Sequence, residues 1–228
     1  MVLSTGKVFD LFRWAGMVFS LVAIFFSSFV IALSGALMPG PLLTVTVSES
    51  TRRGAIAGPL MILGHGILEL ALVIALLAGL APLLVRNEVF IGIALAGGCI
   101  LMWMAVSMFR SIPGLHLELE AGEGRKEKNL VLAGIIFSLA NPYWTIWWAS
   151  IGLGYILHSV KFGILGVTAF YLGHILADFA WYAFVSLGVA KGRQFFSDTV
   201  YRRLIGGCAL FLVVFACYFF YSGFDKLI

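Results

Sequence analysis

The chain has 228 residues, of which 61% are hydrophobic and only 11% are charged. Soluble domains carry roughly 45–50% apolar and about 25% charged residues, so this composition excludes a water-soluble globule, and it excludes a disordered chain as well. Three cysteines are too few for a disulfide scaffold. The net charge of +4 comes without a basic patch interleaved with aromatics, so we expect no nucleic-acid partner. The class that remains is a polytopic membrane protein.

Long apolar runs follow one another along the chain, separated by short polar segments. A helix that crosses the bilayer needs about 20 apolar residues, so the runs predict six membrane spans. Lys7 and Arg13 precede the first run. That run is longer than the roughly 7–15 residues of a signal-peptide apolar region, and we interpret it as the first span. The predicted spans are 17–47, 56–85, 89–109, 130–157, 162–190 and 204–223.

Two of the runs contain helix breakers, Pro39-Gly40-Pro41 in the first and Asn141-Pro142 in the fourth. Proline removes a backbone donor, and unpaired backbone at membrane depth must lie inside the protein or against a water-filled cavity. A half-helix that begins there offers free N–H groups to a carboxylate. The breaks therefore predict a substrate site, the alternative being kinks that only shape packing. The predicted substrate-binding residues are Pro39, Gly40, Pro41, Thr44, Asn141, Pro142 and Trp144.

The second and third spans recur in the fifth and sixth. A shift of 109 positions places Gly64-His65 on Gly173-His174, Glu69 on Asp178, and Gly97-Gly98-Cys99 on Gly206-Gly207-Cys208. A unit of three spans is odd, so two copies cross the membrane in opposite directions, as in many secondary transporters. The predicted fold is an all-α membrane protein and a single polytopic domain, built as two inverted three-helix repeats with a broken first helix in each half. Repeat one covers about 17–109, a cytoplasmic loop 110–129, and repeat two about 130–224.

Four ionisable side chains lie inside predicted spans: His65, Glu69, His174 and Asp178. Each histidine precedes its acid by four residues, which puts both on one helix face. Charged groups at membrane depth are costly and normally face the bundle interior, and a histidine next to a carboxylate can pass a proton. We interpret the four as a proton-coupling or substrate-amine site. The alternatives are an ion pair that joins helices, and a divalent-metal site.

The distribution of Lys and Arg among the short loops indicates the orientation. Five of these residues lie on the side of both termini and ten on the opposite side. Because cytoplasmic loops carry the excess of positive residues, both termini are predicted to lie outside the cytoplasm, in a multi-pass protein of the cytoplasmic membrane.

The sequence contains no pattern typical of an enzyme. It has no Ser–His–Asp order, Walker loop, Cys-x-x-Cys or dinucleotide fingerprint. We therefore expect no catalytic activity and no cofactor, and the energy for transport would come from an ion gradient or from the gradient of the substrate.

Two segments resemble the LysE-type translocators, the lysine and homoserine/threonine exporter family. One is Ser34-Gly35-Ala36-Leu37-Met38-Pro39-Gly40-Pro41 followed by Arg52-Arg53-Gly54, and the other is Asn141-Pro142 after the polar loop. The resemblance implies a small six-helix bundle that exports amino acids or similar solutes. Tyr143 stands where the family motif has lysine, and His65 and Glu69 stand where members more often have an aspartate after the glycine.

We conclude from the sequence that the chain is a secondary exporter of amino acids or related small solutes, driven by the proton gradient. Its expected partners are the substrate, protons and the lipid bilayer, and the substrate and the oligomeric state, a homo-oligomer included, stay open. Two other functions remain: a divalent-metal exporter that uses the four buried side chains, and a membrane scaffold that transports nothing.

Overall fold

The computed structural model describes residues 5–84, 86–114, 129–192 and 197–226. These residues are almost entirely helical, and no strand occurs within those ranges. The predicted all-α class is therefore confirmed. Most of the polar loop predicted at 110–129 lies outside the described residues, which resume at Asn129.

The described residues form ten α-helices. Several are joined end to end by short 3₁₀ or π turns, at Gly54–Ile56, Leu76–Leu80, Trp148–Gly152 and Val160–Phe162. The helices are α1 Thr5–Ala36, α2 Pro41–Arg53, α3 Ala57–Ala75, α4 Ala81–Leu84, α5 Asn87–Ser111, α6 Leu130–Leu139, α7 Pro142–Trp147, α8 Leu153–Ser159, α9 Gly163–Gly192 and α10 Asp198–Asp225.

Five helical stretches in the described residues are long and apolar enough to cross a membrane: Arg13–Ala36, Pro41–Leu83, Asn87–Gly114, Tyr143–Gly192 and Asp198–Asp225. The second and fourth contain 43 and 50 residues. At about 1.5 Å per residue they are about twice as long as the roughly 30 Å hydrocarbon core requires. Helix α6 is apolar but too short to cross alone.

Three glycines with positive φ lie in the two long stretches: Gly79, with φ +110°, in the π turn before α4, and two others at helix junctions. Gly54, between α2 and α3, has φ +77°, and Gly163, at the start of α9, has φ +65°. A residue with a side chain rarely adopts these angles, so glycine is required at both turns. The two positions are 109 residues apart, the same shift that relates the repeated spans.

The helices break where the sequence predicts. Helix α1 ends at Ala36 and α2 begins at Pro41, whereas α6 ends at Leu139 and α7 begins at Pro142. Each proline takes the first turn of its helix, where its missing N–H costs no helical hydrogen bond.

The main helix pairs are α1 with α9, α3 with α6 and α5 with α10, and α3 also contacts α9. Glycines allow the close approaches: a Cβ on Gly64 of α3 would collide with the carbonyl of Val131 on α6. Likewise, a Cβ on Gly173 of α9 would collide with the carbonyl of Phe25 on α1. Helix α3 thus packs closely on α6, and α9 packs closely on α1.

Charged and hydroxyl side chains are buried inside the bundle beside its apolar core, and many large apolar side chains are exposed on its outside. Phe19, Trp103 and Ile164 are each more than 70% exposed, whereas the buried set contains charged and hydroxyl side chains. This arrangement suits a chain surrounded by lipid. The buried polar residues include Ser28, Thr46, Glu49, Ser50, His65, Glu69, Ser138, Ser159, His174, Asp178 and Ser186.

Candidate functional site

The four ionisable residues singled out in the sequence form one cluster between α3 and α9. His65 Nε2 lies 3.0 Å from Glu69 Oε1 and 3.7 Å from Asp178 Oδ2. His174 Nε2 lies 3.1 Å from Glu69 Oε2 and 3.5 Å from Asp178 Oδ2. All four residues are buried. The i, i+4 spacing accounts for each pair, and the contact between α3 and α9 brings the pairs together.

Glu69 accepts two indole N–H groups from the segment after the second break and lies close to His174 of α9. Trp144 Nε1 of α7 donates to Glu69 Oε1 at 3.0 Å, and Trp148 Nε1 donates to the same oxygen at 2.8 Å. His174 Nε2 also lies 3.2 Å from this oxygen. Indole nitrogen can only donate, so this oxygen is held as an acceptor. The segment after the second break is thereby tied to α3 and α9 through one carboxylate.

Ser138 determines the protonation of one His65 ring nitrogen. The Ser138 hydroxyl donates to the Gly134 carbonyl at 2.6 Å, and its oxygen lies 2.7 Å from His65 Nδ1. The oxygen must therefore accept from Nδ1–H. His65 Nε2 faces Glu69 Oε1 at 3.0 Å, and two acceptors cannot share this distance without a proton between them. One proton consequently belongs to the His65–Glu69 pair, on the imidazole or on the carboxylate.

His174 has a different environment from its counterpart. Its ring lies among aromatic side chains, with centroids 4.8 Å from Trp147, 5.3 Å from Trp148 and 5.9 Å from Phe170. Its Nδ1 is buried and has no hydrogen-bond partner among the described residues.

The packing of the first helices explains this difference. Met61 and Phe170 are 109 residues apart, and the carbonyl of each is contacted by a small residue. Gly134 on α6 lies against the Met61 carbonyl, and the Ser28 hydroxyl on α1 donates to the Phe170 carbonyl. Four residues further along each helix, α6 carries Ser138 and α1 carries Ala32. Both of these residues line the same cavity, where α6 presents a hydroxyl group and α1 a methyl group.

A cavity of about 50 Å³, counted as the space open to the centre of a water molecule, lies against the cluster. One ordered water needs about 10–15 Å³ on this measure, so several waters fit. The two helix breaks meet at its wall, since a Cβ on Gly40 would lie 3.2 Å from Asn141 Nδ2. All four ionisable residues line this cavity, together with Ala32, Gly35, Ala36, Met38, Gly40, Leu42, Ser138, Asn141, Tyr143, Trp144, Trp147, Trp148 and Tyr182.

The seven predicted substrate-binding residues lie in different places relative to the cavity. Gly40, Asn141 and Trp144 line it, and Pro39 lines a smaller neighbouring pocket. Pro41 is buried at the start of α2, Pro142 begins α7, and the Thr44 hydroxyl donates to the Gly40 carbonyl at 3.1 Å.

The two half-helices differ at their N-termini. Asn141 Oδ1 accepts from the Tyr143 N–H at 3.1 Å and caps α7. In the part of the chain that the structure describes, no side chain caps α2, whose N-cap residue is Gly40. Of the two breaks, the first offers the less occupied backbone N–H groups.

Three residues of the site carry weak signals in the sequence. Ser138 is one hydroxyl in an apolar run, and Trp147 and Trp148 belong to an aromatic segment whose orientation the sequence leaves undetermined. Only the packing of α6 on α3, and of the segment after the second break on α9, directs these groups at the cluster.

A cation could also be bound here. One ligand atom from each of His65, Glu69 and Asp178 lies within 4.8 Å of the others. Imidazole with carboxylate ligands suits a divalent transition metal. However, Glu69 Oε1 already accepts two indole N–H groups, which would compete with a cation for that oxygen.

Comparison with known proteins gives two matches. The LysE type translocator family model matches residues 33–223, which include both helix breaks and all four ionisable residues. The chemotactic transduction protein ChpE of Pseudomonas aeruginosa is 30% identical over 206 residues, covering 85% of this chain and 95% of that protein. No solved structure gives a significant match. The resemblance seen in the two break segments is thus confirmed, and the chain belongs to the LysE type translocator family, as a multi-pass membrane exporter of small solutes.

Proposed function

We propose that this protein exports amino acids or related small solutes across the cytoplasmic membrane in exchange for protons. The observation that carries the proposal is the contact of two histidines with two carboxylates on the wall of a buried cavity, where two helix breaks meet. Such groups are costly in a membrane and are retained where a proton or a charged substrate passes.

We further propose that the bundle has six spans arranged as two inverted repeats, at about 17–109 and 130–224. In this arrangement Gly54 and Gly163 separate the spans within the two long helical stretches. Their shared backbone conformation supports the repeat, and so do the matching approaches of Gly64 to α6 and Gly173 to α1. Inverted repeats allow one half to rock against the other around a central site.

The substrate carboxylate would bind at the first break. The N-terminus of α2 carries the positive end of the helix dipole and lacks a side-chain cap in the described chain. Asn141, next to Gly40, supplies an amide for a further contact. The present cavity has room for a few waters, so loading an amino acid requires its walls to part.

Proton transfer would run between the two histidines through Glu69. This carboxylate lies 3.0 Å from His65 Nε2 and 3.1 Å from His174 Nε2. Asp178 lies 3.5 Å from His174 Nε2 and 3.7 Å from His65 Nε2. Three tyrosines are also nearby: Tyr143 and Tyr182 line the cavity, and the Tyr171 hydroxyl donates to the Gly66 carbonyl. A proton that leaves one histidine can reach the other without crossing apolar surface.

Export of a divalent cation is the second candidate function. It is favoured by the three ligand atoms of His65, Glu69 and Asp178 within 4.8 Å, and it is disfavoured by the indole N–H groups on Glu69. The same purified protein can be tested for both substrates.

The test is efflux from proteoliposomes that contain labelled amino acids, with and without a pH gradient, and in parallel efflux of Mn²⁺. We expect gradient-dependent loss of one or a few amino acids, reduced at least tenfold by Glu69→Gln and by Asp178→Asn. Glu88→Gln and Asp225→Asn remove exposed acids outside the cavity and serve as matched controls. Efflux of Mn²⁺ without amino-acid efflux would favour the metal exporter. No efflux in either assay would contradict export and favour a membrane scaffold.

A further inference from the structure

The two buried carboxylates of the cavity are not equivalent, although the sequence repeat aligns them. Glu69 Oε1 accepts from Trp144 and Trp148 and lies within 3.2 Å of both histidines. Asp178 Oδ2 has no hydrogen-bond partner in the described residues, and its nearest charged atoms are the Nε2 atoms of His174 and His65, at 3.5 and 3.7 Å. Glu69 Oε2 also has no hydrogen-bond partner in the described residues, but it lies 3.1 Å from His174 Nε2. Glu69 is therefore anchored through Oε1, whereas the nearest charged donor to Asp178 Oδ2 is 3.5 Å away.

An open acceptor at this place needs a donor. Asp178 is only 4% exposed, and a buried polar atom that lacks a partner is destabilising, so nearly all such atoms in proteins are paired. The residue lines the cavity, and the donor can therefore come from what fills the cavity. A charged acceptor selects a charged donor, because charge-assisted hydrogen bonds are the stronger ones.

The surroundings of Asp178 indicate the kind of donor. The aromatic faces of Trp147 and Trp148 lie next to His174 on the same cavity wall, and aromatic faces attract a cation that has left water. An ammonium group has three donors and no acceptor, so it can bond the carboxylate and still donate to a second acceptor. Guanidinium is larger and planar, and it fits a forked acceptor pair better than a single open oxygen.

We propose that Asp178 binds the ammonium group of the transported molecule. Glu69 does not bind the amine; it positions the indoles and the histidines between which it passes protons. The inference rests on the proposed export of amino acids. It assigns different tasks to the two acids, and it makes the amine, in addition to the carboxylate, a condition for recognition. A solute with a carboxylate and no amine would bind weakly, because it would leave the acceptor of Asp178 without a donor.

Binding to the purified full chain in detergent tests this assignment by isothermal titration calorimetry. Each of the twenty L-amino acids is titrated in turn, and each one that binds is compared with its des-amino carboxylic acid. The quantity of interest is the ratio of the two dissociation constants, which measures selectivity for the amine. We expect a ratio of at least about 30 for the wild type, since removing one partner of a buried charge pair costs that much or more.

Asp178→Asn should reduce this ratio to about 3 or less, mainly by weakening the binding of the amino acid. Asp178→Glu should restore part of the ratio. Glu69→Gln should weaken the binding of both ligands by similar factors, because it disturbs the positions of the indoles. The ratio should therefore stay high. Asp225→Asn, an exposed acid outside the cavity, should change neither ligand. Thermal unfolding of each variant shows whether it is folded.

The outcomes separate the two proposals. If amino acids bind and Asp178→Asn keeps the wild-type ratio, Asp178 does not bind the amine, while amino-acid export stands. If Glu69→Gln reduces the ratio and Asp178→Asn does not, the assignments of the two acids are reversed. If none of the twenty amino acids binds to the folded wild type, the proposed substrate class fails and the amine site fails with it.

Discussion

Ser138 shows how much one small side chain determines in this site. Its hydroxyl donates a hydrogen bond to the Gly134 carbonyl, so its oxygen accepts a hydrogen bond from His65 Nδ1–H. The other ring nitrogen is then directed at Glu69. The orientation and tautomer of a histidine follow from the partner of its second nitrogen, and here that partner comes from α6, on the other half of the chain.

Replacing Ser138 by alanine should lower the free energy of unfolding by about 1–3 kcal/mol, because the buried His65 N–H loses its acceptor. Thermal unfolding in detergent measures this loss. Ser150→Ala is the matched control, since Ser150 is exposed and bonds only backbone carbonyls of its own helical segment. Equal melting temperatures for the two variants would show that the Ser138–His65 contact contributes nothing.

The sequence predicts part of the residue-scale picture. The four-residue spacing places each histidine beside its own acid, as the structure has it for His65 and Glu69. The contact of Glu69 with His174 and with two indoles joins residues 75 to 105 positions apart. No local pattern contains such contacts, because they depend on how α3, α9 and the segment after the second break pack together.

At the scale of elements, close helix contacts rely on two glycines at equivalent positions of the sequence repeat. Gly64 lies against the Val131 carbonyl of α6, and Gly173 lies against the Phe25 carbonyl of α1. Small residues let helix backbones approach in membranes, where packing replaces the hydrophobic effect between helices. The shift of 109 residues identifies these two glycines in the sequence. It does not identify their partners on α1 and α6, because those helices do not align with each other at that shift.

Gly64→Ala and Gly173→Ala should each destabilise the protein by about 1–3 kcal/mol, because the added methyl group pushes two backbones apart. Gly92→Ala on α5 is the control, since no described atom lies within 4 Å of its Cβ position. It should be neutral or stabilising by up to about 1 kcal/mol from helix propensity. Thermal unfolding of the three variants is the measurement, and a loss at Gly92 as large as at Gly64 would argue against specific close packing.

At the scale of the whole molecule, polar groups are enclosed and apolar side chains face outward, as a lipid environment requires. The composition alone predicts this class. The division into spans is harder to predict, because α2 and α3 form one helical stretch with only a glycine turn between them. Apolar runs show which parts of the chain can lie inside the membrane. They do not show where the chain turns within it.

Orientation can be tested with single cysteines in a variant that lacks the three native ones. The excess of Lys and Arg predicts both termini outside the cytoplasm. Lys226→Cys should therefore react with a membrane-impermeant thiol reagent in intact cells, whereas Ser111→Cys should react only after permeabilisation. Both side chains are exposed, so accessibility within the protein does not limit the reaction. The opposite labelling pattern would invert the topology.

Three of the six tryptophans of the chain surround the cavity. Trp144 and Trp148 bond the carboxylate of Glu69, and Trp147 lies 4.8 Å from the ring of His174. Indole emission responds to nearby charge, so a change of protonation or occupancy in the cluster should change both its wavelength and its intensity. A chain with Trp14, Trp103 and Trp181 replaced by phenylalanine would emit from the cavity alone. The transport site would then carry its own optical reporter, readable during a single turnover without any attached dye.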